Sequence, residues 1–206
     1  MSLKASSILI ASNNAHKLQE FQEIFTQFGA PEVRLLTPRA LGLDLDPDET
    51  AETYFGNAQI KAREFYKALG GEHWVMADDS GLEVDALEGG PGVRSARYHK
   101  AAPANDGCAA LLGELAGVPD DRRTARFRAV IVLIAPQEDE HVFEGVCEGS
   151  IGFDKRGAGG FGFDPVFRVA EDPRHLAEMS ATEKHRVSHR GLATQQLIAF
   201  LRFGRP

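Results

Sequence analysis

The sequence has few of the features that mark secreted, membrane-bound or nucleic-acid-binding proteins. Its 206 residues include only two cysteines, Cys108 and Cys147, which lack metal-ligand spacing and have no secretory context that would favour a disulfide. No apolar run approaches the ~20 residues needed to span a bilayer, and the start lacks the long apolar segment of a signal peptide. The net charge of -7 argues against a general binder of nucleic acid or membrane surfaces. We therefore expect a cytoplasmic protein with reduced thiols that binds neither membranes nor nucleic acid.

The remaining composition is that of a globular protein, with 43% hydrophobic and 26% charged residues. Neither tandem repeats nor a low-complexity linker divides the chain, so we predict a single domain over residues 1–206. Apolar periodicity predicts helices near residues 18–28, 53–69, 106–115 and 188–203. Apolar runs predict strands at 8–11, 33–36, 74–77, 126–135, 141–148 and 165–169.

The order of these elements predicts the fold class. Helices and strands interleave, so we predict an α/β fold with one long mixed β-sheet, helices packed around it and a cleft lined by loops at strand ends. The strands at 126–135 and 141–148 follow each other closely, which favours an antiparallel pair. The segment from Gly81 to Tyr98 is rich in glycine and proline and is predicted to be a long loop.

Two adjacent carboxylates, Asp78 and Asp79, end the apolar run 74–77. Neighbouring strand residues point to opposite faces, so both could enter one pocket only if the strand breaks, and we expect Gly81 to permit that break. Carboxylates at the end of a buried strand are suited to Mg²⁺, and Glu49 in the acidic loop 44–49 is a candidate second ligand. The alternatives are an ordinary surface turn and a solvated acidic loop.

The segment Ser12-Asn13-Asn14-Ala15-His16-Lys17 lies between a predicted strand and a predicted helix. Backbone amides at a helix N-terminus bind phosphate, and a lysine one turn into the helix adds positive charge. The segment lacks the Walker pattern, and a capped helix with a surface lysine is the alternative.

Segment 157–165 contains the pattern G-x-G-x-x-G, but an extended run follows it instead of a helix, which argues against a dinucleotide fold. Phe161 and Phe163 beside Asp164 could stack on a base, and a hairpin loop with buried phenylalanines is the alternative.

Two short polar segments near the C-terminus form the last candidate. Residues 180–183 read as a helix capping box, which needs no ligand. Lys184, His189 and Arg190 form a compact cationic set, for which a solvated basic helix end is the alternative.

Taken together and in order, these motifs resemble the inosine triphosphate pyrophosphatase family, the XTP/dITP diphosphatases. The resemblance covers nearly the whole chain from Ser12 to Arg190. The matching segments are Ser12-x-Asn14-x-x-Lys17, Asn57-Ala58-x-x-Lys61-Ala62, Ala77-Asp78-Asp79-Ser80-Gly81-Leu82, Gly89-Gly90-Pro91-Gly92 with Ser95-Ala96-Arg97-Tyr98, Gly159-Gly160-Phe161-Gly162-Phe163-Asp164-Pro165, and Glu183-Lys184 with Ser188-His189-Arg190.

The resemblance implies an elongated α/β domain around a central substrate cleft, a homodimer, a requirement for Mg²⁺, and cleavage of a purine nucleoside triphosphate (dITP, ITP or XTP) to the monophosphate and pyrophosphate. Carried over by position, Asp79 would be the catalytic carboxylate and a metal ligand. Glu49 is chosen as the second metal ligand from the acidic loop, where Asp44, Asp46 and Asp48 are the alternatives. The residues that would contact substrate are Ser12, Asn14, Lys17, Ser80, Phe161, Gly162, Phe163, Asp164, Lys184, His189 and Arg190.

The chain departs from the family pattern at three places. Asn13 stands where glycine is usual, Phe163 stands where tyrosine or tryptophan is common, and the acidic loop around Glu49 aligns poorly. Two other functions stay open: a broader Maf-like pyrophosphatase acting on modified pyrimidine nucleotides, and a nucleotide-binding protein without catalysis.

Overall fold

The computed structural model describes residues 5–137 and 139–204. Over these residues the chain forms an α/β fold, as predicted. The strands are β1 (Ser7–Ile10), β2 (Arg34–Leu36), β3 (Trp74–Val84), β4 (Gly90–Pro91), β5 (Thr124–Ala135), β6 (Asp139–Ile151) and β7 (Phe167–Val169). The α-helices are α1 (Ala15–Gln27), α2 (Tyr54–Ala68), α3 (Ser95–Ala101), α4 (Gly107–Glu114), α5 (Ala181–Val187) and α6 (His189–Phe203). None of the helices described is both long enough and apolar enough to cross a membrane.

All the strands belong to one mixed sheet with the order β2-β1-β3-β5-β6-β7, and β4 pairs with β3. Strand β1 is parallel to both β2 and β3, whereas the pairs β3–β4 and β6–β7 are antiparallel. Strands β5 and β6 are neighbours separated by only residues 136–138. A link this short can join only antiparallel neighbours, which agrees with the predicted pair.

The chain divides into two compact units. The first unit comprises the chain up to Asp79, Ala129–Gly145 and the chain from Arg190 onward, and the second comprises Ser80–Arg128 and Val146–His189. Strands β3, β5 and β6 each run from one unit into the other.

The first unit has a hydrophobic cluster on each face of the sheet. One cluster joins Ile8, Ile10 and Met76 to α1 and α6. The other joins alternate residues of the same strands, such as Val75 and Ala77, to α2. Strand alternation therefore assigns each residue of β3 in this unit to one helical layer or the other.

The second unit has its own core, in which buried residues of α4, β5, β6 and β7 pack together. Within it the guanidinium of Arg123 is buried and donates to backbone carbonyls. The acceptors are Leu115, Val118, Ile151 and Gly152, at 2.7 to 3.4 Å. These bonds satisfy carbonyl groups at the ends of elements, which would otherwise be costly to bury.

The expected break in the strand at Gly81 was wrong. Strand β3 continues without interruption through both carboxylates and Gly81 to Val84. A Cβ on Gly81 would lie 2.2 Å from the carbonyl oxygen of Gly92 and 2.8 Å from Ser95 Oγ. The glycine therefore permits close approach of the following segment instead of bending the strand.

The predicted loop from Gly81 to Tyr98 was wrong in part, because it contains the end of β3, the strand β4 and the start of α3. Residues 165 and 166 of the predicted strand 165–169 are also outside a strand, since β7 begins at Phe167. Short elements of this kind have too few residues for a periodic signal.

We predict that Gly81→Ala destabilises the protein by about 1–3 kcal/mol, because the new methyl group overlaps backbone atoms that cannot move easily. Gly113 in α4 is the matched control, since a Cβ there meets nothing within 4 Å. Gly113→Ala should stabilise by about 0.5–1 kcal/mol through helix propensity. Urea unfolding of both variants measures the two changes, and equal effects of the two substitutions would contradict this account.

Candidate active site

The two adjacent carboxylates of β3 point to opposite faces of the sheet. Asp78 lies on the same face as Met76, which is covered by α1 and α6. Asp79 lies on the same face as Ala77, which is covered by α2. Asp78 is 2% exposed and Asp79 is 5% exposed. Because the strand does not break, each carboxylate has its own set of partners.

Asp78 lies at the centre of a buried ionic network in the first unit. Its Oδ1 is 3.1 Å from Lys17 Nζ, and its Oδ2 accepts from Arg190 Nε at 3.1 Å and Nη2 at 2.9 Å. The other end of the Arg190 guanidinium donates to Glu20. Arg190 is 1% exposed, so two cations and two carboxylates neutralise each other away from water. We call Lys17, Asp78, Arg190 and Glu20 the buried quartet.

The buried quartet keeps Asp78 ionised. Burial by itself would raise the pKa of Asp78, but the charges of Lys17 and Arg190 outweigh it and hold the pKa well below its usual range. For Lys17 the balance is reversed: burial lowers the pKa of its ammonium more than the carboxylate of Asp78 raises it. Asp78 is therefore a fixed negative charge whose role is to hold cations.

Asp79 has fewer partners. Its Oδ2 accepts from Asn57 Nδ2 at 3.2 Å, and its Oδ1 is 3.7 Å from Lys61 Nζ. Burial raises the pKa of the Asp79 carboxyl, and the negative charge of Glu49 adds to the effect, against the opposing influence of Lys61 and Lys17. The two carboxyls therefore have pKa values shifted in opposite directions, a pattern that accompanies division of acid–base roles.

Glu49 and Asp79 both contact the side chain of Lys61. Lys61 Nζ lies 2.7 Å from Glu49 Oε1, and Asn57 accepts a hydrogen bond from the backbone amide of Ala51 at 2.9 Å. Helix α2 thereby ties the acidic loop to Asp79 through two residues spaced one turn apart. The carboxylates raise the pKa of the Lys61 ammonium in spite of its burial.

Asp79 and Glu49 suit a magnesium ion by their chemistry. Both present carboxylate oxygens to one cation, the ammonium of Lys61. Among the described residues no three His, Cys, Asp or Glu side chains are grouped so as to hold a metal ion. Two carboxylates supplemented by phosphate oxygens and water are the usual environment of Mg²⁺ in phosphate-handling proteins. The donor set thus fits Mg²⁺ that is shared with a phosphate ligand.

The predicted phosphate-binding segment forms the N-terminus of α1. Asn14 caps the helix, since its Oδ1 accepts from the amides of His16 at 3.0 Å and Lys17 at 3.3 Å. Ser12 Oγ accepts from the amide of Asn14 at 3.2 Å. The unusual Asn13 donates from its side chain to the carbonyl of Leu45 at 3.1 Å. This segment is a well-defined cap with one lysine, Lys17, directed to Asp78.

The predicted base-binding loop lies in the second unit. Phe161 is half-buried, whereas Phe163 is 3% exposed and packs against Tyr98 with ring centroids 6.0 Å apart. The two aromatic residues therefore differ in environment, with one in the core and one at its edge. Between them, the carbonyl of half-buried Gly162 accepts from Cys108 Sγ at 3.2 Å.

The predicted cationic set is split between the units. Lys184 Nζ lies 2.7 Å from Asp164 Oδ2 and 4.9 Å from the centroid of the Phe161 ring. His189 stacks on Phe127, with ring centroids 4.7 Å apart and planes inclined by 10°. These contacts are all within the second unit, whereas Arg190 pairs within the first. Ser80, also predicted to contact substrate, is half-buried and directly follows Asp79.

The sequence analysis did not single out Glu20, and it listed Asn57 and Lys61 in a segment that matches the family without giving either a role. The spacing of four residues between Asn57 and Lys61 places both on one face of a helix, which was a usable signal. Glu20 is one turn after Lys17 and reads as an ordinary surface acid. Only the fold reveals that α6 brings Arg190 to it.

We predict that Arg190→Met destabilises the protein by about 3–5 kcal/mol, because it leaves the carboxylates of Asp78 and Glu20 buried without their shared cation. The exposed Arg186 of α5 is the matched control, and Arg186→Met should change the free energy of unfolding by less than about 0.5 kcal/mol. Urea unfolding compares the two variants. A loss of stability in Arg190→Met no greater than in the control would show that the quartet is not a structural requirement.

Comparison with known proteins places the chain in a family. A model of the Ham1 family matches residues 8–200. A dITP/XTP pyrophosphatase of Exiguobacterium sibiricum is 42% identical over 199 residues, which cover 94% of this chain and 96% of that protein. One of Methylococcus capsulatus is 43% identical over 198 residues, which cover 95% and 96%.

A solved structure gives the same result for the fold. The Ham1 protein of Staphylococcus aureus has a TM-score of 0.82 and 37% sequence identity, and the match covers 97% of this chain and 100% of that chain. The resemblance inferred from the motifs is thus confirmed over almost the whole sequence. The chain belongs to the Ham1 family.

Proposed function

We propose that the protein hydrolyses dITP, ITP and XTP to the corresponding monophosphate and pyrophosphate, and so removes non-canonical purine nucleotides from the nucleotide pool. Relatives that match nearly the full chain carry the name dITP/XTP pyrophosphatase. The structural observation that carries the proposal is the contrast between the adjacent carboxyls. Asp78 is paired with Lys17 and Arg190, whereas Asp79 lies 3.7 Å from the ammonium of Lys61, which also contacts Glu49 at 2.7 Å.

The triphosphate would be held by residues of the first unit. Amides at the N-terminus of α1 and the ammonium groups of Lys17 and Lys61 supply the positive potential that phosphates require. Ser12 and Asn14 shape this N-terminus through the hydrogen bonds of the cap. An ammonium group has three donors, so each lysine retains capacity for a phosphate oxygen while it contacts a carboxylate.

Asp79 would orient and deprotonate the attacking water. A bond forms between the water oxygen and the α-phosphorus, the bond from that phosphorus to the leaving pyrophosphate oxygen breaks, and the water proton passes to the Asp79 carboxylate. Most of the acceleration would come from positioning and from neutralisation of charge on the departing pyrophosphate.

Asp79 and Glu49 would hold Mg²⁺. When bound, the ion would supply further neutralisation of phosphate charge.

The base would be recognised by the second unit. Phe161 would stack on the purine, Gly162 and Phe163 would form and support that wall, and Ser80, Lys184 and His189 would complete the substrate contacts. A 6-oxo purine accepts a hydrogen bond at position 6 and donates one at N1, and adenine reverses both. A site built for the oxo form would leave buried groups unpaired with ATP, which can reject it by roughly 10⁴ or more.

We also propose that the protein is a cytoplasmic homodimer, a proposal that rests on the family resemblance. Sedimentation equilibrium at micromolar concentration checks the dimer. A sedimenting mass of 22.4 kDa, that of one chain, would reject it.

The first prediction for this function concerns the reaction itself. Pyrophosphate release should require Mg²⁺, should be abolished by EDTA and should be at least about 10⁴-fold more efficient in kcat/KM with ITP, dITP and XTP than with ATP. The measurement is a panel that also contains GTP and modified pyrimidine nucleotides. Preferred cleavage of pyrimidines would favour a Maf-like pyrophosphatase, and binding of ITP without release of pyrophosphate would favour a non-catalytic nucleotide-binding protein.

The second prediction concerns Asp79. Asp79→Asn should lower kcat at least about 10²-fold, since the amide cannot accept the proton of the water, while its isosteric shape preserves the fold. Asp154→Asn is the matched control, since Asp154 is exposed and its carboxylate pairs only locally with Arg156 at 3.1 Å. Steady-state kinetics with thermal unfolding checks both variants. An active and stable Asp79→Asn protein would contradict the assigned role.

A further inference from the structure

We infer that Asp164 is a positioning residue, which acts on the nucleobase through Phe161 and does not itself contact the substrate. The inference deepens the proposed function and rests on it. It concerns how the second unit holds one half-buried aromatic ring in a fixed place. The family resemblance gives Asp164 a direct contact with substrate, so the two assignments differ in a way that can be measured.

The carboxylate of Asp164 is directed into its own loop. A single oxygen, Oδ2, accepts from the backbone amide of Phe161 at 2.8 Å and from Lys184 Nζ at 2.7 Å. Asp164 is 3% exposed and Lys184 is 6% exposed. A carboxylate that is buried with a cation and an amide on the same oxygen is held strongly in place.

The backbone of the loop is shaped around this carboxylate. Gly160 has a φ of +69°, and a Cβ there would lie only 2.0 Å from Asp164 Oδ2. The amide of Asp164 donates in return to the carbonyl of Phe161 at 3.3 Å. The two residues therefore close a ring of reciprocal hydrogen bonds that includes the intervening residues 162 and 163.

The same loop is tied to the segment around Ala177. The amide of Ala177 donates to the carbonyl of Asp164 at 3.2 Å, and its own carbonyl accepts from the amide of Gly159 at 3.0 Å. A Cβ on Gly157 would lie 2.2 Å from that carbonyl oxygen. Gly159 and Asp164, at the two ends of the loop, are thus both hydrogen-bonded to the backbone of Ala177, and the Asp164 carboxylate holds the turn between them.

Lys184 links the carboxylate to the aromatic ring. Its ammonium contacts Asp164 Oδ2 and also lies 4.9 Å from the centroid of the Phe161 ring, within the range of a cation–π interaction. A displacement of the carboxylate would therefore move both the backbone and the ring of Phe161. An aromatic platform whose rotamer is held in this way loses little entropy when a base stacks on it.

The test uses two variants that differ at position 164, where one retains a side-chain acceptor for the Phe161 amide and the other does not. Both replace the buried ion pair, so neither leaves Lys184 buried without a partner. Asp164→Asn with Lys184→Met retains a side-chain oxygen, and Asp164→Leu with Lys184→Met removes it at similar volume. Apolar replacement of a buried pair is usually tolerated, and thermal unfolding verifies that both proteins fold.

The first measurement reports on the loop without any substrate. Each variant is combined with Trp74→Phe and Phe161→Trp, so that the indole at the platform position is the only tryptophan. We expect acrylamide to quench its fluorescence at least about twofold faster in the Asp164→Leu protein than in the Asp164→Asn protein, because only the latter keeps the amide in place. Equal quenching would overturn the inference.

The second measurement is a double-mutant cycle with ITP. In the presence of Phe161, we expect the leucine variant to have a KM about tenfold above that of the asparagine variant, with kcat within about threefold, as for loss of one stacking interaction. In a Phe161→Ala background the same difference should fall below about twofold. The same factor in both backgrounds would show that the side chain at position 164 contacts substrate directly.

The two arms separate this inference from the proposed function. If the wild-type protein does not hydrolyse ITP, the proposed function fails, and the quenching comparison still decides whether Asp164 orders the loop. If the wild type is active and the cycle shows no coupling, the positioning role fails and the function stands.

Discussion

The bridge that Arg190 forms between Asp78 and Glu20 is the interaction on which the first unit depends. A carboxylate in the interior costs several kcal/mol of lost hydration unless a partner compensates it. Arg190 compensates two at once, because its planar fork presents donors on separate edges. The three side chains come from β3, α1 and α6, so a single guanidinium connects three elements that also pack through a hydrophobic cluster. Lys17 completes the neutralisation on the side of the helix N-terminus.

The alternation of side chains along a strand explains why two identical neighbouring residues behave differently. Asp78 and Asp79 are one residue apart, yet the sheet separates them into layers with different partners. On one face two cations hold the pKa of Asp78 down, and on the other burial and Glu49 raise the pKa of Asp79. A broken strand would have placed both carboxylates in one environment, where their mutual repulsion would have coupled their titrations. The unbroken strand gives one a structural role and leaves the other available for chemistry.

The sequence was sufficient to predict most of the fold, because its longer elements carry strong periodic signals. The helices α1, α2, α4 and α6 and the strands β1, β2, β5 and β6 lie near their predicted positions. The continuation of β3 through Gly81 was missed, because a glycine within a strand pattern indicates a break. The reason for this glycine is the close approach of the Gly92 carbonyl, which only the structure shows. Helix α3 was missed because its seven residues, which follow a glycine-rich turn, are too few to give a periodic signal.

The candidate site was predictable as a set of residue types and not as a set of contacts. Motifs identified which residues to consider, but pairing depends on tertiary geometry: nothing local indicates that Glu20 meets Arg190 across 170 residues or that Lys184 meets Asp164 across 20. Burial is equally invisible, so Phe161 and Phe163 read alike although only one lies in the core.

Each of the two units contains a buried carboxylate that is paired with a buried cation. A buried ion pair is a weak source of stability, since apolar residues of the same volume would often serve as well. What an ion pair supplies that apolar packing does not is direction, because charge-assisted hydrogen bonds hold only over a narrow range of distances and angles. In the first unit this directionality fixes Lys17 and the helix N-terminus around Asp78, and in the second it fixes the ring and amide of Phe161 around Asp164. In both, a buried carboxylate paired with a cation determines where a neighbouring group stands, and that accounts for buried charges in a core that could have been apolar.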